Sequence, residues 1–234
     1  FFTVLRDFLS QLDSSRIDAA CFAVAGPVEG SQVKVTNLPW RMDAHDLEKR
    51  FGIPRVRLLN DFEAIALGIE ALGPGDLVTL QPGQPAEHAM QVVLGAGTGM
   101  GVAWLAWRET RYAPLPTEAG HMDFAPTNDL QAALFDYLKR KFGHVSWERV
   151  LSGPGLVDIF RFLQGNIGAS HGLAQVSLDD EGGAEIVSDL ALHRKHPIAV
   201  KAIELFIECY GAFAGNLALT GFTRGGVYLA GGIA

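Results

Sequence analysis

The sequence predicts an α/β fold with mixed sheets flanked by helices, and three observations carry that prediction. Apolar runs of strand length alternate with segments of helical period along most of the 234 residues. A glycine-rich turn, Gly95-Ala96-Gly97-Thr98-Gly99, joins two such runs, Val92–Leu94 and Val102–Leu105, as strand–turn–strand. An apolar strand also ends in Ala25-Gly26-Pro27 near one end of the chain and in Ala230-Gly231-Gly232 near the other. Two similar α/β halves would leave that echo. The length suits one large domain or two modest ones.

The elements follow in order. Phe2, Leu5, Phe8, Leu9 and Leu12 repeat at helical spacing, and Ile17–Val24 is a buried strand. Val33–Asn37 alternates like a strand with one wet face. Asp43 can cap a helix over residues 44–51, Val56–Leu59 is the next strand, and a helix starts just past Asp61 towards Leu72. Gly73-Pro74-Gly75 breaks the chain, and residues 81–85 form a loop. Beyond the glycine turn, Thr127 or Asn128 caps a helix that Gly143 closes. Ser146 caps a short helix over residues 147–151, and Pro154 suits the start of the next, Gly155–Leu163. Residues 164–190 are polar and glycine-rich, which predicts a loop region with little helix. Pro197 opens a long apolar helix, and Gly226–Ala230 is the last strand.

Charge and cysteine usage exclude several classes. With 19 basic against 26 acidic residues and no basic stripe, nucleic acid is not a partner. The one basic run, Lys139-Arg140-Lys141, ends a helix, where cations suit the dipole and solvent. Cys21 and Cys209 lie far apart in apolar segments and read as buried thiols of a cytoplasmic protein, not a disulfide framework or a zinc site. No apolar run is long enough to span a membrane. The chain starts at Phe1 without methionine and stops just after a strand and glycine turn, so both ends look cut.

The chemistry-bearing residues admit more than one reading each. The turn at Gly97-Thr98-Gly99 has no lysine and runs into a strand, so it is no P-loop. It suits either a phosphate cradle of backbone N–H groups or an ordinary tight turn. Asn60-Asp61 follows an apolar strand, where ligands gather in open α/β sheets, yet Asp61 would serve equally as a helix N-cap. Glu118, His121 and Asp123 crowd a loop of small residues. Their spacing argues against zinc and for hydrogen bonding to a polyhydroxylated ligand. Glu148, in a first helical turn, complements the dipole at the least.

Five segments in order form a recognisable set: Leu59-Asn60-Asp61-Phe62, Gly95–Gly99, Glu118–Pro126, Glu148–Leu156 and Leu229–Ile233. Together they resemble the bacterial-type glucokinase family, over nearly the whole chain. The resemblance implies an actin-like, ribonuclease H-like two-domain fold, with residues 1–71 as the small domain, 72–234 as the large one, and the active site in the cleft between them. It implies transfer of the ATP γ-phosphoryl group to the 6-hydroxyl of glucose. Mg²⁺ would arrive with the nucleotide, without a dedicated protein cage or other metal site. Asp61 becomes the general base, and Asn60, Glu118, His121 and Glu148 become sugar ligands, with Gly26 and Thr36-Asn37 bordering the sugar. Gly97, Thr98 and Gly99 would cradle phosphates, and Gly231 and Gly232 would lie by the adenosine. A cytoplasmic homodimer is expected.

Three departures stand out. Ala119 occupies the first glycine of the family's Glu-Gly-Gly-His. A phosphate hairpin of Asp-x-Gly-Gly-Thr type is expected ahead of Phe1, and a helical segment after Ala234; a member lacking both would be inactive. The alternatives are a kinase for a related hexose or amino sugar, against which the absence of cysteine from residues 122–147 counts, and a sugar-sensing regulator without turnover.

Overall fold

The computed structural model describes residues 1–12, 17–36, 38–168, 176–178 and 182–233. The chain divides into two compact units, Phe1–Thr79 and Leu80–Ala234. In the first, α1 (Phe2–Ser10) turns Leu5 inward, and β1 (Ala20–Val24) pairs in parallel with β5 (Val56–Asn60), Ala20 opposite Val56. Between them β2 (Val28–Glu29), β3 (Gln32–Lys34) and β4 (Arg41–Asp43) make a separate antiparallel meander. Of these, sequence pattern foretold only the region of β3, because strands of two or three residues are too short to show alternation. Asp43 caps α2 (Ala44–Phe51) as expected, accepting from His45 N–H at 2.8 Å, and Gly52 closes it with φ 66°. Then α3 (Asp61–Gly68) leads into a 3-10 turn, Ile69–Ala71. Val33, Met42, Leu47 and Leu58 form the core of this unit. Along β1, Phe22 and Val24 pack against that core while Cys21 and Ala23 face out. Cys21 is therefore exposed, which corrects the expectation of two buried thiols; Cys209 alone is buried.

In the second unit β6 (Gln91–Ala96), β7 (Met100–Arg108), β8 (Arg111–Thr117) and β9 (Gly226–Ala230) form one mixed sheet in the order β8-β7-β6-β9. The β6–β9 pair is parallel and the other two are antiparallel. Sequence reading missed β8, since Pro114 and Pro116 argue against a strand. They sit two residues apart, so both lack an N–H on the same side, which an edge strand tolerates. Asn128 caps α4 (Asp129–Phe142), and Ser152 caps α5 (Gly153–Leu163). Ser146 makes no side-chain cap, contrary to expectation; it is buried and bridges to Asp123, and the turn after it is 3-10, Trp147–Arg149.

Residues 164–190 carry more helix than the loop region expected of them. Within their described part, α6 (Gly183–Leu192) buries Val187 and Ala191 on its inner face. Of the described glycines in this stretch, Gly165 and Gly168 lie in a π-helical turn, Gln164–Gly168, while Gly182 caps α6 and Gly183 begins it. Finally α7 (Pro197–Gly221) packs Phe206, Tyr210 and Phe213 into a core shared with Leu94, Val102 and Phe160. No helix among the described residues is long and apolar enough to cross a membrane.

Candidate active site

Asn60 ends β5 with extended backbone (φ −60°, ψ 146°) and is itself the N-cap of α3. Its Oδ1 accepts from Phe62 N–H at 2.9 Å and Glu63 N–H at 3.3 Å, and its Nδ2 donates to Gly26 C=O at 3.2 Å. One Nδ2 hydrogen remains for a ligand. Asp61 is thereby released from capping, the alternative role its position allowed. It is the first residue of α3 and is exposed, with Oδ1 accepting from Phe62 N–H at 2.9 Å and Oδ2 unpartnered among the described residues. The Gly26 turn approaches β3 so closely that a Cβ there would stand 2.5 Å from Lys34 O. Thr36 N–H donates to Ala25 C=O at 2.8 Å beside it. Asn37 lies outside the described residues.

In the second unit β8 ends at Thr117, whose hydroxyl donates to Val102 C=O and accepts from Ala119 N–H, each at 3.1 Å. That fixes the start of the 3-10 turn Ala119–His121 and projects Glu118 and His121 outward. A Cβ at Gly120 would collide with Met100 C=O, so glycine is required there. Ala119 instead points its methyl into the core, which explains why the departure from Glu-Gly-Gly-His is tolerated. Glu148 lies on the turn beside Trp147, itself held by rings of Phe124 and Phe213 at 5.1 and 4.8 Å. Ser152 Oγ donates to Glu148 C=O at 2.8 Å and locks the same turn.

These pieces converge. His121 Nδ1 stands 3.9 Å from Glu148 Oε1, and Nε2 stands 3.9 Å from Glu118 Oε2. Such gaps are too wide for direct hydrogen bonds, but a ligand hydroxyl can bridge each pair. Glu148 Oε2 accepts from Met100 N–H at 3.0 Å, at the root of the glycine turn. Within the turn Gly97 N–H donates to Gly99 C=O at 2.9 Å, and Gly153 N–H donates to Gly97 C=O at 2.8 Å. The N–H groups of Thr98 and Gly99 make no hydrogen bond among the described residues and are free for phosphate oxygens. Gly231, with φ 96°, ends β9 against Ala96, where a Cβ would strike the Ala96 carbonyl. Gly232 faces open space.

The structure thus joins Gly97, Thr98, Gly99, Glu118, His121, Glu148 and Gly231 on one unit. Asn60 and Asp61 belong to the other. Sequence reading overlooked Gly120, Met100 N–H and Gly153 N–H. The backbone donors leave no trace in residue type.

An anion-ready turn beside a carboxylate–imidazole cluster, on mixed α/β architecture, defines a kinase of the actin-like class. A solved glucokinase from an Antarctic psychrotroph superposes with a TM-score of 0.83 and 32% identity, covering 99% of this chain and 69% of that one. A Balamuthia mandrillaris glucokinase in complex with glucose gives 0.74 and 26%, covering 99% and 68%. The glucokinase of Nostoc punctiforme is 38% identical over 245 residues, which cover 99% of this chain and 72% of the relative. The chain belongs to the glucokinase family, which it matches over residues 1–234.

Proposed function

We propose that the protein phosphorylates glucose at its 6-hydroxyl from ATP, with Asp61 as general base. The observation that carries this reading is the cluster of Glu118, His121 and Glu148 directly beside the amide-lined turn, in a chain of glucokinase family. Glu118, His121 and Glu148 Oε1 accept from or donate to the sugar hydroxyls, and the free Asn60 Nδ2 hydrogen adds a donor. A site that pairs each hydroxyl discriminates against analogues lacking one. The family resemblance adds Asn37 as a further sugar ligand. Thr98 and Gly99 N–H hold phosphate oxygens, and Gly97, Gly231 and Gly232 leave room for nucleotide against the ends of β6 and β9.

Among the described residues no three His, Cys, Asp or Glu side chains converge as metal ligands. Mg²⁺ would arrive with the nucleotide and would neutralise charge on the transferred group. Asp61 Oδ2 accepts the 6-hydroxyl proton as that oxygen attacks the γ-phosphorus of ATP and the bond from that phosphorus to the bridging oxygen breaks, releasing ADP. We also assign a cytoplasmic homodimer. The two free cysteines suit a reducing compartment, and the exposed Ile207 and Leu219 on α7 suit a subunit contact.

The test is a coupled assay of ATP consumption against a panel of hexoses, with Asp61→Asn alongside. The amide keeps the size of the carboxylate but cannot take the proton, so kcat falls by a factor on the order of 10² or more while glucose affinity stays within several-fold. A variant retaining more than about a tenth of kcat removes Asp61 as the base.

A further inference from the structure

We propose that Glu148 is a strut that couples the sugar loop to the phosphate turn. This rests on the reading of Glu148 as a sugar ligand and adds a second, distinct task for the same carboxylate. Its two oxygens are divided. Oε1 faces His121 and the hydroxyl-binding loop, while Oε2 accepts from Met100 N–H at 3.0 Å. Met100 is the first residue of β7, immediately after Gly99. The contact is charge-assisted and only about a third exposed, with the Glu148 side chain at 31%.

The turn is otherwise held by few bonds. Gly97 N–H closes it onto Gly99, and Gly153 N–H ties Gly97 to the start of α5. Without the Glu148 bond, the Met100 end of the turn has no side-chain anchor among the described residues. The turn that carries the two free donors, on Thr98 and Gly99, would then be held less firmly. Space is equally committed. A Cβ on Gly99 would stand 2.6 Å from Glu148 Oε2, so a side chain there would have to displace the carboxylate. The expectation from sequence alone, that changes at Gly99 strike ATP and changes at Glu148 strike glucose, is therefore incomplete. Each residue reaches the other's ligand.

Three variants test this, with binding of glucose and of Mg²⁺ with a non-hydrolysable ATP analogue measured separately by calorimetry. Glu148→Asp keeps the charge but is one methylene short of Met100 N–H, and Glu148→Gln keeps the reach and an acceptor. The strut requires that Glu148→Asp weaken the analogue about tenfold in the absence of sugar, with Glu148→Gln recovering most of the loss. It also requires that Gly99→Ala, which displaces the carboxylate, weaken glucose several-fold. Circular dichroism and thermal unfolding check that each variant is folded. Unchanged analogue affinity in Glu148→Asp overturns the strut, as does unchanged glucose affinity in Gly99→Ala. Unchanged glucose affinity in both Glu148 variants would instead remove Glu148 as a sugar ligand, a separate failure with its own readout.

Discussion

At the scale of residues, local competition for hydrogen bonds decides which side chain is free to act. Asn60 and Asp61 are both good N-caps, and only one can hold the extended conformation that capping needs. Asn60 takes it, and Asp61 is left exposed with one carboxylate oxygen unpartnered among the described residues. Sequence supplied both residues and their neighbourhood but not this division, since either order reads alike. The same holds at Ala119-Gly120: the motif was legible, while the reason that only the second position must be glycine lies in the nearby Met100 carbonyl. Cysteine chemistry differs in the same way. Burial, with the charge of Glu208 adding to it, pushes the Cys209 thiol up to about 12, while Cys21 is exposed. An aromatic disulfide reagent at neutral pH is expected to titrate one thiol in the native protein and two after denaturation. Above pH about 9 the unfolded chain gives up the Cys209 proton and the native chain keeps it, so this group lowers stability as pH rises towards 12. Rapid reaction of both native thiols would contradict the burial of Cys209.

Among elements, those with a strong period or a clear stop were legible, and those set by neighbours were not. Helices α2, α4 and α7 announce themselves through Asp43, Asn128 and Pro197. By contrast β8 exists because β7 offers it an edge, and α6 because Val187 and Ala191 find the core. The basic end of α4 shows the same influence. Its three cations read as a solvated helix end, yet Lys141 Nζ lies 2.6 Å from Asp158 Oδ1 on α5. The Asp158 side chain is 4% exposed and, among the described residues, has Arg161 at 3.8 Å as its one further cation. Lys141→Met leaves a buried carboxylate with one distant partner, and breaking buried pairs is costly. The expected loss, softened by Arg161, is about 2 kcal/mol in urea unfolding, more than for Lys139→Met. Equal effects from the two substitutions would reduce the pair to a surface contact.

For the whole molecule, the division at Thr79–Leu80 gives each unit its own core, and the two cores are unlike. The first unit rests on a two-stranded parallel pair and a meander of very short strands, with Leu47, Leu58, Met42 and Val33 beneath. Two-stranded pairs are marginal alone, and short strands protect few amides. The second unit has a four-stranded sheet with β6 and β7 inside it, and α5 and α7 bury Leu151, Ile159, Phe160 and Phe213 completely. Opening free energies therefore differ between the units, and local opening controls hydrogen exchange. Exchange followed by mass spectrometry is expected to label peptides from β1–β5 well before those from β6, β7 and α7. The amides of Leu94 and Phe213 should be among the last to exchange, because they lie where sheet and helix share one dry core. Adding Mg²⁺ with an ATP analogue should slow exchange around Thr98 and Gly99 first, since those N–H groups are the free donors of the turn. Simultaneous labelling of β1–β5 and β6–β7 would mean that the chain opens as a single cooperative body, and the unequal cores would then not set its stability.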